Sequence, residues 1–116
     1  MQRYLISFDE GAMTFPDEDL PAVADAAHAV ARAAMDAGVW VFGGGLLDSD
    51  GMSVVDTDGS VTDGPPARKA YIGGFTVVEV TSREEALAWA ARIAEACRCA
   101  QEVREFMPGS STGRET

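Results

Sequence analysis

The stretch Gly73-Gly74-Phe75-Thr76-Val77-Val78-Glu79-Val80, followed closely by Ser82-Arg83-Glu84-Glu85, decides the fold. Its first part is the best strand in the chain, rich in residues that fit a pleated surface, and extends over Ala70 to Val80. Its second part is a capping box, with Ser82 at the N-cap and Glu85 three residues on. A long strand therefore feeds directly into a helix, whose apolar positions are Ala86, Leu87, Trp89, Ala90, Ile93, Ala94 and Cys97. Just ahead of the strand stand Asp63-Gly64-Pro65 and Lys69, a carboxylate, a forced turn and a cation. Polar groups gathered where a loop meets a core strand commonly build a small-molecule site.

Outward from this core, Glu102-Val103-Arg104-Glu105-Phe106 alternates as a last strand. Pro108 to Thr116 is polar and reads as a flexible tail, so the domain spans residues 1–107 and the tail 108–116. Toward the N-terminus, Ser60 to Thr62 and Met52 to Asp56 form a short hairpin around Asp58-Gly59, a type I′ turn signal. Val39-Trp40-Val41-Phe42 is a strand, and Gly43-Gly44-Gly45 after it suggests a bulge. Leu20, Val23, Ala24, Ala27, Ala31, Ala34 and Met35 recur at helical spacing. Asp19 is placed to cap that helix, with Pro21 in its first turn and Gly38 at C′. Arg3 to Phe8 opens the chain as a buried strand, and Asp9 to Asp19 is a loop.

Setting the short hairpin aside, the order is β-α-β-β-α-β. That is an α+β, ferredoxin-like arrangement, an antiparallel sheet with both helices on one face. Trp40, Phe42 and Phe75 call for cover on the other face, and a second copy supplies it, so a two-fold homodimer is expected.

At 116 residues the chain fits one domain with one modest core. Nineteen acidic against nine basic residues give a net charge of −10, which disfavours nucleic-acid binding and favours solubility. The longest apolar-rich stretch, Val39 to Leu47, is far short of a membrane span, and the first residues lack the pattern of a signal peptide. A cytoplasmic protein is the expectation. Cys97 and Cys99 lie two apart on a helix and point in different directions, so neither a mutual disulfide nor a metal clamp is expected. Cys97 reads as a small core residue and Cys99 as a free thiol near the surface.

Taken together, these segments resemble the YCII-related proteins, in the branch named for its Asp-Gly-Pro-Phe motif. The resemblance rests on Tyr4-Leu5-Ile6, on Asp36-Ala37-Gly38-Val39 with Gly43-Gly44-Gly45-Leu46, and on Thr62-Asp63-Gly64-Pro65. Gly73-Gly74-Phe75, Glu84-Glu85-Ala86 with Trp89-Ala90, and Glu102 to Phe106 complete it. It implies a dimeric α/β barrel built from ferredoxin-like protomers. Most members of that family have no assigned activity, and a His–Asp pair has been suggested as an active site in YCII-type proteins. The chain departs from the motif at Pro66, where an aromatic residue is usual, and near Arg68, where an acidic one is usual. One position is also missing before Gly73.

His28 is the only histidine, and the only side chain whose unperturbed pKa lies near neutral. It sits beside the apolar stripe of the first helix. Either it moves a proton, oriented by Asp9 or Asp63, or it is a helix-edge residue with no role. The resemblance favours Asp9 as the first partner. Asp63 before Gly64-Pro65 is equally standard turn chemistry. Lys69 and Arg68 either hold an anionic or polar ligand or pair with Asp63 at the surface. The glycine run lacks dinucleotide spacing, the serines fit no nucleophile elbow, and one histidine with scattered carboxylates makes no metal site. No cofactor is expected. The sequence thus supports a small-molecule isomerase or lyase using a His–Asp pair in a cleft between the first helix and the sheet. A non-catalytic ligand-binding or regulatory dimer using the same cleft is the alternative, and a partner protein docking on the acidic surface is a third reading.

Overall fold

The computed structural model describes residues 1–67 and 70–109. Arg68 and Lys69, and most of the expected tail, lie outside the described residues. Among the described residues, six strands and two α-helices follow in the order β1 (Gln2–Asp9), α1 (Leu20–Asp36), β2 (Trp40–Gly45), β3 (Ser53–Val55), β4 (Val61–Asp63), β5 (Ile72–Val80), α2 (Arg83–Cys97) and β6 (Glu102–Glu105). The main sheet runs β2-β5-β1-β6 with every pairing antiparallel, and β3 and β4 form a separate two-stranded sheet. This is the ferredoxin-like α+β arrangement expected from the sequence.

Alternation along the central strands sorts the side chains between two faces. Tyr4 lies opposite Val78 and Ile6 opposite Thr76. Tyr4, Ile6, Val78 and Val80 are the largest fully buried side chains, and they pack against Ala34 of α1 and Ala86, Trp89 and Ala90 of α2. The next residues along each strand face the opposite way. Leu5 pairs with Val77 and Ser7 with Phe75 on the face away from the helices, where Arg3 and Glu79 form an ion pair at 3.2 Å. Phe42 joins them opposite Val77, its ring centroid 6.1 Å from that of Phe75, and remains 63% exposed. Trp40, expected on that same face, instead lies opposite Val78 and packs against the helix-side core. The reason is an irregularity in β2 between Trp40 and Phe42, which returns Phe42 to the outer face. The bulge expected at the three glycines therefore sits just before them, and β2 runs on through Gly45.

The helix ends follow local chemistry. Gly38 has φ +76°, and the Ala37, Gly38 and Val39 N–H groups donate to the carbonyls of Ala33, Met35 and Ala34, closing α1 with a left-handed glycine. Asp19 occupies the N-cap position of α1 but makes no side-chain cap bond: its backbone is already helical, at φ −85° and ψ −9°, and its carboxylate pairs with Arg98 at 2.8 Å. Ser82 caps α2 by accepting from the Glu85 N–H, and the Glu85 carboxylate accepts from the Thr81 N–H and hydroxyl. Leu87, assigned to the buried stripe of α2, is 40% exposed, and Ala96 is buried on that helix instead. In the hairpin, the Gly59 N–H donates to Asp56 and the Asp56 N–H to Ser60. Only Gly59 of the turn has positive φ, so the turn is not type I′, which needs positive φ at both central residues.

Candidate functional site

α1 meets the sheet through a stripe of small residues, Ala24, Ala27, Ala31 and Ala34. Beneath them the sheet presents Gly43, Gly44 and Gly45, which carry no side chains. Two surfaces stripped of bulk cannot close on one another, and they leave a cavity of about 500 Å³ between α1 and the sheet. That size falls in the range of small-molecule sites. Its walls are aromatic and aliphatic, with Phe8, Phe15, Trp40, Trp89 and Ile93 foremost, and Met13 and Met35 beside them. Leu20 and Met35, exposed at 56% and 53%, belong to the apolar stripe of α1 yet border this cavity rather than a packed core.

Glycine is required at particular points of the floor. A Cβ on Gly43 would lie 2.7 Å from the Phe75 carbonyl oxygen, and one on Gly74 would lie 2.7 Å from the Phe8 ring. Phe8 can therefore lie flat across the strand and turn its ring into the cavity wall.

One long loop, between β1 and α1, supplies Met13 and Phe15 to the lining. It is tied at both ends. The Glu10 N–H donates to the Tyr71 carbonyl, and the Glu10 carboxylate accepts from the Ser49 N–H at 2.7 Å and the Ser49 hydroxyl at 2.6 Å. At the other end Arg98 binds Asp19 and lies 5.9 Å from the centroid of the Phe15 ring. Arg98 adopts φ 59°, and it is the non-glycine residue with positive φ among those described. A smaller hollow of about 270 Å³ adjoins the cavity through Phe8 and Met13 and carries Glu10 and Asp48.

His28 lines the cavity from α1 and is exposed, which places it at the rim. Cys97 is the other titratable side chain of the lining, half-buried, and burial pushes its thiol pKa up, away from nucleophilic reactivity. Cys99 is likewise free and half-buried. Asp9 ends β1, where its carbonyl accepts from the Ala12 N–H, and it is not among the lining residues. Asp63 ends β4 in the two-stranded sheet, and its Oδ1 accepts from the Ser53 hydroxyl at 2.8 Å. Gly64 behind it has φ +94° and donates to the Met52 carbonyl, so Asp63-Gly64-Pro65 works as a turn. Among the described residues, no direct hydrogen bond or ion pair joins His28 to Asp9 or Asp63. Arg68 and Lys69 lie outside the described residues. No group of three or more metal-ligating side chains occurs among those described.

A cavity lies between α1 and the sheet, where the sequence predicts a cleft, and His28 borders it. Glu10 and Arg98, which tie the loop that lines the cavity, are not evident from the sequence. Neither carries a local signal, because each acts through a partner dozens of residues away in the chain.

Fold and site together define a class, a small ferredoxin-like protein with a preformed apolar cleft under its first helix. A family model described as the YCII-related domain matches residues 4–108, and the chain belongs to the YCII-related family. Comparison with curated proteins gives no match.

Proposed function

We propose that this YCII-related protein binds a small molecule in the cleft between α1 and the sheet, with His28 addressing a polar group of the ligand at the rim. The observation that carries this reading is the cavity itself, about 500 Å³, apolar, and bordered by the imidazole of His28. The working unit is a cytoplasmic homodimer of the Asp-Gly-Pro-Phe branch. Its second copy covers the outer sheet face at Phe42, and Thr62-Asp63-Gly64-Pro65 supports the branch. A thermal-shift screen of small molecules on wild type and His28→Ala tests the binding. Hits that raise the melting temperature of wild type and lose that effect in His28→Ala support His28 as a contact, and an absence of hits contradicts the reading.

A second reading adds chemistry. His28 moves a proton on the bound molecule in an isomerase- or lyase-type step, Asp9 or Asp63 orients it through a water or the substrate, and Lys69 or Arg68 holds developing negative charge. The position of His28 on the cavity rim favours it. General acid–base catalysis contributes about 10²–10⁴-fold, so His28→Gln is expected to cut turnover of any converted hit by at least about 10²-fold. Undiminished turnover in that variant would exclude the role.

A further inference from the structure

We infer that the occupant of the cleft is a neutral, flat, largely apolar molecule, with one uncharged polar group at its rim end. The inference rests on the cleft being a binding site and names what it takes. Among the described lining residues there is no Lys, Arg, Asp or Glu. An anion drawn into this cavity would give up its water without gaining a countercharge from those walls, and unpaired buried charge is costly. The net charge of −10 repels anions further. The polar side chains that do line the cavity, His28, Thr76 and Gln101, suit a carbonyl or hydroxyl. Most of the remaining lining is Ala, Gly, Val, Leu and Ile, and among it Phe8, Phe15, Trp40, Trp89, Met13 and Met35 offer polarizable surfaces on which a ring stacks well.

Other occupants fit poorly. The chain beyond Gly109 reads Ser110-Ser111-Thr112-Gly113-Arg114-Glu115-Thr116, too polar for these walls. A second copy has a different apolar surface to meet, around Phe42 on the far side of the sheet. A cavity with such walls is the kind that excludes water and accepts an apolar guest.

Trp40 and Trp89 make the test direct. They are the only tryptophans in the chain, and both line the cavity. Full-length protein is titrated with biphenyl, with biphenyl carboxylate and with biphenylmethylammonium while tryptophan emission is followed. Biphenyl is expected to alter emission and to bind at least about tenfold more tightly than either ion. Its affinity is expected to stay within about twofold between low and high salt, since no charge pair is made. Ala27→Phe, which fills the cavity from α1, is expected to abolish the response while circular dichroism shows a folded protein. Ala31→Leu gives the same test should Ala27→Phe fail to fold. Tighter, salt-sensitive binding of the carboxylate would overturn the ligand class and leave the cleft standing. Silence of both tryptophans toward all three probes would overturn the cleft as well. A biphenyl response that survives both filling variants would place the site elsewhere and overturn the inference.

Discussion

Gly43 and Gly45 sit two residues apart in β2 and differ in what a side chain would meet. A Cβ at Gly43 runs into the Phe75 carbonyl at 2.7 Å, backbone that cannot yield cheaply, whereas one at Gly45 meets nothing within 4 Å. Gly43→Ala is therefore expected to destabilise by about 1–3 kcal/mol, and Gly45→Ala to stay within about 0.5 kcal/mol of wild type. Chemical denaturation of the pair measures both. Arg98 offers a second contrast. Its left-handed backbone costs about 1–2 kcal/mol, while its half-exposed ion pair with Asp19 returns no more than about 1 kcal/mol. Arg98→Gly is expected to be at least as stable as wild type, and Arg98→Ala, which keeps the backbone cost and loses the contacts, less stable by about 0.5–1 kcal/mol. At this scale the sequence is legible where a residue acts on its own neighbours. Gly38 reads as a helix stop because its φ is a local need. Arg98 does not, because an arginine at the end of a helix announces neither a positive φ nor a partner at Asp19.

The cap of α2 shows how local chemistry builds an element. Ser82 accepts from the Glu85 N–H, and losing that bond in Ser82→Ala is expected to cost about 1 kcal/mol by thermal unfolding. The Thr81 N–H and hydroxyl hold the Glu85 carboxyl below the usual glutamate range. A carboxylate favoured in the folded state adds stability that is fully present above its unfolded pKa and is lost as pH falls through its folded pKa. Melting temperature is thus expected to fall on acidification through and below the ordinary glutamate range, and Glu85→Gln to flatten that part of the profile. The elements themselves were legible, since Ser-x-x-Glu, the left-handed glycine and the Val-rich strand each carry a short-range signal. The irregularity of β2 was not. Val39-Trp40-Val41-Phe42 reads as plain alternation, and only pairing with β5 shows that Phe42 opposes Val77 and that Trp40 turns toward the helices.

At the scale of the molecule, the ferredoxin-like order follows from the succession of periods, and so does the need to cover the sheet twice. The helices cover one face. The other presents Leu5, Phe75, Val77 and Phe42, and the proposed homodimer buries them. Phe42→Asp is accordingly expected to shift the protein from dimer to monomer in light scattering after size exclusion, with its far-ultraviolet circular dichroism retained. The alanine stripe and the glycine run are both visible in the sequence, where they read as a helix face and a bulge rather than as the walls of a cavity. Their juxtaposition, and the Glu10 and Arg98 ties that bring Met13 and Phe15 over them, depend on contacts no local pattern encodes. The proposed ligand sits between α1 and the glycine floor. The most direct measurement is an amide chemical-shift titration of the full chain with biphenyl. Shifts are expected to concentrate on Val23 to Met35 of α1, on Gly43 to Gly45 and on Thr76. Shifts confined to the outer sheet face around Leu5, Phe42 and Val77, or to the β3–β4 hairpin at Asp63, would contradict it.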